Sequence, residues 1–271
     1  MRLTAAAFVA TLSLTACSST TIEPRILVSP YLAMYQVRGD VSMQSEPTPG
    51  VLQDNPAQRM EDFGQGHYRE DIGVRTDIGD GFGGARIEYY KLDQGTAASG
   101  VLTSDWGRLL AGDVVSMDVE MDELRIGYLE PFAKLETNWR DHPLTLRLAA
   151  GGVLAYRDID LRARSVDGLR TQNAEIEGDV FYPAVRVRVS WRDASIDVDY
   201  AVSPDLVLDG DFEGVLQDVE ARLSYSLPMR DVTFFGGYRY STLPGEGKAN
   251  GFAYDADLIV DGFQLGVTVT F

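Results

Sequence analysis

Residues Tyr254–Phe271 read YDADLIVDGFQLGVTVTF, and their alternation decides the class of fold. From Ile259 onward the odd positions Ile259, Phe263, Leu265, Val267, Val269 and Phe271 are bulky and apolar, with Asp261 the exception. The even positions Gln264, Gly266, Thr268 and Thr270 are small or polar. A period of two gives an extended chain with one greasy face and one polar face. Working outward, the 271 residues include 27 Gly, 13 Tyr and 11 Phe, and one large β-barrel fits that length. After the first segment no apolar run reaches the roughly 18 residues a membrane-crossing helix needs. A membrane chain of this kind must close its strands into a barrel, because lipid satisfies no backbone group. The mean hydropathy of −0.12 agrees, since only alternate residues would face lipid.

The alternating strand that stops on Phe271 resembles the closing strand of bacterial outer-membrane β-barrels. That resemblance implies an all-β fold, a closed antiparallel up-and-down transmembrane β-barrel, and the alternating stretches along the chain count to about ten strands (8–12). It implies the outer membrane as location, and outer-membrane lipid and the barrel-assembly machinery as partners. At the other end, Arg2 precedes an apolar stretch, Ala5 to Leu14, and then Leu14-Thr15-Ala16-Cys17. This resembles a bacterial lipoprotein signal. It implies a signal peptide over residues 1–16, lipidation of Cys17 by the lipoprotein-processing machinery, a tether over 17–24 and a barrel over 25–271. An ordinary secretory signal ending near a cysteine is the alternative. Cys17 is the only cysteine, so no intrachain disulfide can form. Without Arg2 the chain keeps 23 basic and 41 acidic residues, a net charge of −18. That balance argues against nucleic acid as a partner and suits divalent cations at acidic outer loops.

Alternation marks the other strands. Ile72, Val74, Thr76 and Ile78 lead through Gly79-Asp80-Gly81 to Ala85, Ile87 and Tyr89, a hairpin signal. Met117 to Leu135 reads as one strand disturbed at Pro131. Leu144, Leu146, Leu148 and Leu154 give way to Ile159, Leu161 and Ala163 in the opposite phase, which is the effect of a bulge. Segments 38–66, 93–115, 165–178, 203–216 and 243–253 read as long loops. The turns near 79–82, 137–143, 192–194 and 228–231 are short. Outer-membrane barrels have short periplasmic turns and longer outer loops. An even strand count puts both chain ends on the periplasmic side.

Alternation alone does not say which face looks inward. Small residues on the polar face (Gly73, Gly127, Ala149, Gly151, Ala184, Gly237, Gly266) suit a crowded lumen. Aromatics near strand ends suit a membrane girdle. The polar face carries both signs of charge: Arg75, Asp77, Arg86, Glu88, Arg125, Arg147, Arg186, Arg188, Asp197, Asp199, Glu220, Arg222 and Arg239. In a narrow barrel these pair across the lumen and largely fill it, or line a narrow, porin-like pore. The function expected is therefore structural or that of a small pore. One alternative is an outer-membrane enzyme with a rim site at His67, beside Tyr68, Glu70 and Asp71. Omptin proteases and some lipid A-modifying barrels place catalysis at that rim, but strand count is all that is matched. Another is a soluble periplasmic barrel that binds an apolar ligand. His142 falls in a short turn. Asp205, Asp209, Asp211 and Glu213 could gather around Ca²⁺ but lack the full calcium-loop spacing. No phosphate loop, zinc set or serine elbow is present, so no cofactor is expected and enzymatic activity is not favoured.

Overall fold

The computed structural model describes residues 25–95, 98–204, 206–228 and 230–271. Ten long strands make a closed antiparallel ring: β1 (Arg25–Met43), β2 (Arg69–Gly79), β3 (Gly84–Gln94), β4 (Val114–Trp139), β5 (His142–Ser165), β6 (Thr171–Trp191), β7 (Ala194–Pro204), β8 (Val215–Ser226), β9 (Val232–Ala249) and β10 (Phe252–Thr270). Each pairs with its neighbours in the chain, and β10 returns to β1 from Thr270 opposite Leu27 to Tyr254 opposite Met43. The closing strand thus does what its alternation implied. Phe263 and Leu265 lie exposed on the outer surface, while Gln264 is buried inside.

Strand length separates two regions. A tilted strand crosses the hydrocarbon layer in about 9–11 residues. β2, β3 and β7 have 11 residues each and β8 has 12. β4, β5 and β6 have 26, 24 and 21, and β1, β9 and β10 have 19, 18 and 19. The long strands must therefore project beyond the bilayer. In ring order they fall into two groups of three, β9–β10–β1 and β4–β5–β6, separated by the short pairs β2–β3 and β7–β8. The projection is a pair of three-stranded sheets.

The change of surroundings is written along β6. Its inward face runs Gln172, Ala174, Ile176, Val180, Tyr182, and then Ala184 and Arg186, all buried. Its outward face runs Thr171, Asn173, Glu175, Glu177 and Asp179, and then Phe181, Pro183, Val185 and Val187. The pleat never breaks. Near Phe181 the outward face passes from water to lipid and turns apolar, while the inward face passes from an apolar core to a charged lumen. β5 does the same. Tyr156 and Leu154 face out and Arg157 faces in; further on, Ile159, Leu161 and Ala163 are buried inside while Arg162 and Arg164 face out. The pairing of β5 with β4 and β6 is continuous from Ala155 to Leu161. The bulge expected there is absent. The greasy residues changed sides because the medium changed, without any slip in register. Pro131 is different, because the β4–β5 pairing does shift between Pro131 and Ala133, as expected of a residue that cannot donate to the ladder.

The same cause corrects three loops. Segment 165–178 is mostly strand, with only 166–170 as connection; 243–253 is strand except for the two-residue turn Asn250–Gly251; and 203–216 contains the short strand Val207–Gly210. Asn250 and Gly251 have φ of 53° and 88°, the left-handed pair that a two-residue hairpin turn requires. Polar composition there marks a water-facing strand surface. Above β2–β3 the wall is completed by 58–66 and 98–113, which bury Met60, Phe63, Leu102, Trp106 and Leu109. The Phe63 and Trp106 rings meet edge-on at 5.2 Å.

Aromatic residues ring the bilayer region on the outside. Tyr89, Phe181, Tyr200 and Tyr238 border its upper edge, while Trp139, Trp191, Tyr225 and Phe271 border its lower edge; all but Trp191 are exposed. Asp261, the exception in the alternation, marks the upper boundary. Its carboxylate receives Arg38 Nη2 at 2.7 Å and the Tyr238 hydroxyl at 2.6 Å. A closed barrel with a lipid-facing belt between aromatic girdles is the architecture of bacterial outer membranes, with the short turns on the periplasmic side. The barrel is an outer-membrane protein and its projection stands outside. Among the described residues, segments 36–72, 91–95, 98–122, 158–180, 203–204, 206–217 and 241–260 form that outer part. They hold nine Lys or Arg and 25 Asp or Glu, a net of −16, while the whole chain carries −17.

Candidate functional site

The barrel interior has three levels. At the periplasmic mouth the turn between β2 and β3 folds inward and buries Phe82 completely. Arg186 Nη1 donates to Phe82 O at 2.7 Å and Arg188 Nη2 to Gly81 O at 2.9 Å. The guanidiniums of Arg147 and Arg188 lie 4.3 Å and 5.3 Å from the ring centroid, within cation–π range. Arg147 also pairs with Asp80. Gly81 allows the path, with φ of 76°. Phe82 is thus a stopper gripped by arginines.

Above it lies the charge network, and all thirteen residues singled out in the sequence point into the lumen. Arg75 pairs with Glu88 at 2.8 Å and Glu220 at 2.6 Å. Arg86 pairs with Asp77 at 2.6 Å and Asp199 at 3.1 Å. Arg186 meets Asp199 at 2.9 Å, Arg188 meets Asp197 at 3.1 Å, and Arg222 reaches Asp197 at 3.5 Å. Arg125 and Arg239 converge on Asp218 at 3.1 Å and 2.7 Å. Beside the stopper is a cavity of about 50 Å³ lined by Gly83, Gly84, Arg86, Arg125, Arg186 and Glu220, among others. It has room for a few waters.

Three members escaped the sequence reading. Glu123 is wholly buried and receives Arg157 Nε at 2.8 Å, Arg239 Nη2 at 2.7 Å and the Tyr90 hydroxyl at 3.0 Å. Asp218 receives the Ser241 hydroxyl at 2.8 Å. Arg157 packs its guanidinium 5.2 Å from the Tyr182 ring. Glu123 sits next to the outward Asp122, Arg157 at the apparent phase flip, and Asp218 beside an expected loop. Counting by twos would have found each one: Glu123 shares parity with Arg125, Arg157 with Arg147, and Asp218 with Glu220. Counted with Asp80, exposed at the mouth, the described residues of the lumen include nine arginines and eight carboxylates, near the neutrality that buried charge demands.

The third level is the apolar core of the projection. Val37, Val41, Met117, Val119, Ile159, Leu161, Ile176, Leu243 and Leu258 fill it. Gln65 and Gln94 stitch its margin, donating to Gln94 O at 3.0 Å and Tyr35 O at 2.8 Å.

The other candidates do not assemble. His67 is exposed in the segment before β2. The ring of His142 lies 6.4 Å from Trp191 at the lower rim. Asp209 lies in the strand Val207–Gly210, Asp211 accepts the Glu177 N–H at 3.4 Å, and Asp205 lies outside the described residues. Among the described residues no group of three or more His, Cys, Asp or Glu could hold a metal ion. Cys17, the signal segment 1–16 and the tether 17–24 also lie outside the described residues.

No family model matches the chain, and no curated protein matches it. Similar solved structures include the outer membrane protease OmpT from Escherichia coli, at 10% identity over 94% of this chain and 100% of that one, with a TM-score of 0.49. They also include Ail, the attachment invasion locus protein of Yersinia pestis, at 9% identity, 90% and 99% coverage and a TM-score of 0.30. A Pseudomonas aeruginosa FadL homologue has 10% identity, 92% and 90% coverage and a TM-score of 0.30. At these values the likenesses carry no argument, and the fold rests on the closed register described above.

Proposed function

We propose that the chain is a sealed, non-conducting outer-membrane barrel whose role is structural: it holds a folded, acidic body on the cell surface. The observation that supports this is the interior, which is blocked three times in series. Phe82 blocks the mouth, paired charges fill the bilayer level, and an apolar core occupies the projection. A narrow pore would need a continuous wet path through the level filled by Val37, Val119, Ile159, Leu161, Ile176 and Leu258, which are all buried and apolar. A rim enzyme would need groups converging near His67. The test is single-channel recording in a planar bilayer. The purified protein should give no unit conductance steps, and neither should Phe82→Gly, because the apolar core still closes the outer end. Regular steps from the unaltered protein would overturn the sealed reading.

We also propose that residues 1–16 direct export and that Cys17 carries lipid, on the strength of Leu14-Thr15-Ala16-Cys17. Cys17→Ala should lose all incorporation of labelled fatty acid while the barrel remains in the outer membrane, held by its own belt. Label retained by the variant would sink the lipoprotein reading.

A further inference from the structure

Two of the short periplasmic turns repeat one tripeptide. Trp139-Arg140-Asp141 leads from β4 into β5, and Trp191-Arg192-Asp193 leads from β6 into β7. In both the arginine takes a left-handed backbone, with φ of 50° and 54°, at a turn position where Asn or Gly is usual. β5 runs between the two turns, and across it the indoles of Trp139 and Trp191 meet with ring centroids 5.1 Å apart. Each indole carries its own arginine. Arg140 Cζ lies 4.8 Å from the Trp139 centroid and Arg192 Cζ lies 4.6 Å from that of Trp191, within cation–π range.

The cluster stands at the lower edge of the lipid-facing belt. Leu135, Leu146 and Val189 lie side by side one row above Trp191. Indoles settle at the headgroup level of a bilayer, so the two guanidiniums are held where phosphates lie. Charge sets these arginines apart from those inside the barrel. All nine lumen arginines have a carboxylate partner. Among the described residues Arg140 and Arg192 have no ion pair and no side-chain hydrogen bond. Asp141 and Asp193 follow them in the chain without pairing to them, and all four side chains are exposed. Covering an indole requires no charge, and a guanidinium without a carboxylate keeps its N–H fork free for a phosphate.

We propose that this cluster binds a phosphate group, and that the phosphate is the headgroup of an anionic phospholipid in the inner leaflet of the outer membrane. The guanidiniums take the phosphate oxygens, the indoles flank the headgroup, and the apolar row above receives an acyl chain. A soluble phosphate would use the arginines alone and would give no role to two indoles on the lipid-facing run.

The chain has three tryptophans, and the third, Trp106, is buried in the projection, so quenching of tryptophan fluorescence from the bilayer reports this cluster. The full chain can be reconstituted in phosphatidylcholine vesicles that carry a minor share of phosphatidylglycerol brominated near the headgroup. The same share of brominated phosphatidylcholine is the control. Phosphatidylglycerol should quench at least about threefold more strongly, the scale of enrichment that one basic residue gives at an anionic membrane surface. Arg140→Gln with Arg192→Gln should bring the two quenchers to equality. Arg25→Gln with Arg230→Gln, an equal charge loss at other exposed positions of the lower rim, should leave the preference unchanged. Inorganic phosphate added to the vesicles should leave it unchanged as well. Heat-modifiable gel migration checks that each variant is folded. Equal quenching in the unaltered protein overturns the proposal, and so does a preference that survives in the Arg140/Arg192 pair. An equal loss in the Arg25/Arg230 pair would mean general attraction of the rim to anionic lipid and overturn the site. Loss of the preference on adding inorganic phosphate would make the ligand a soluble one and overturn the lipid assignment.

Discussion

Replacing Glu123 by alanine is expected to destabilise the barrel by about 3–5 kcal/mol, the usual cost of removing one partner from a buried ion pair. Glu123 is wholly buried and is the acceptor for Arg157, Arg239 and the Tyr90 hydroxyl. Its loss leaves Asp218 as the single carboxylate for Arg125, Arg157 and Arg239. Glu123→Gln should recover part of the loss, since the amide oxygen still accepts but the charge is gone. Glu120→Ala, three residues away on the outward face and paired only with the half-exposed Lys91, should stay within about 0.5 kcal/mol. Urea unfolding of the micelle-bound protein, read by gel shift, measures all three. Equal effects at 120 and 123 would mean that the interior network contributes nothing.

The second large effect separates the two media along one strand. Val187 lies near the middle of the lipid-facing run of β6, and Val187→Arg should cost about 2–4 kcal/mol there. Arg186, its neighbour, is buried in the lumen beside Asp199. Twelve residues nearer the outer end the pattern is reversed. At 175 an arginine replaces an outward glutamate in water and should be tolerated. At 176 it would replace an isoleucine of the apolar core and bury an unpaired charge, which is worth several kcal/mol. Single cysteines give an independent reading. Cysteine at 187 should react with a bilayer-restricted probe, and cysteine at 175 only with an aqueous one. If 187 is shielded from both probes, or if 175 is labelled from the bilayer, the boundary near Phe181 is misplaced.

The bilayer part was legible because there the medium enforces the alternation. Val185, Val187, Arg186 and Arg188 could be assigned to faces from spacing alone, and so could Tyr225, Leu223 and Arg222. The projection was not legible for a physical reason. A strand that leaves lipid for water keeps its pleat and exchanges which face is apolar, so Ile159 and Leu161 read as a slip of register and Glu175-Ile176-Glu177 read as loop. The inward fold of Gly81 and Phe82 left no trace in the alternation, because a turn residue has no face to assign.

The lumen pairs also constrain how the barrel comes to exist. Arg75 and Glu220 are 145 residues apart, Arg239 and Glu123 are 116 apart, Arg86 and Asp199 are 113 apart, and Arg125 and Asp218 are 93 apart. Each pair joins the first half of the chain to the second. A half-formed wall keeps the pairs between adjacent strands, such as Arg75–Glu88, Arg86–Asp77 and Arg239–Asp218, but lacks these four, which form only as the ring closes. Partly zipped intermediates are disfavoured and closure becomes all-or-none, slow in the way that contacts distant along the chain make folding slow. The charges that fill the finished barrel act, during assembly, as a proofreading device against leaving it open.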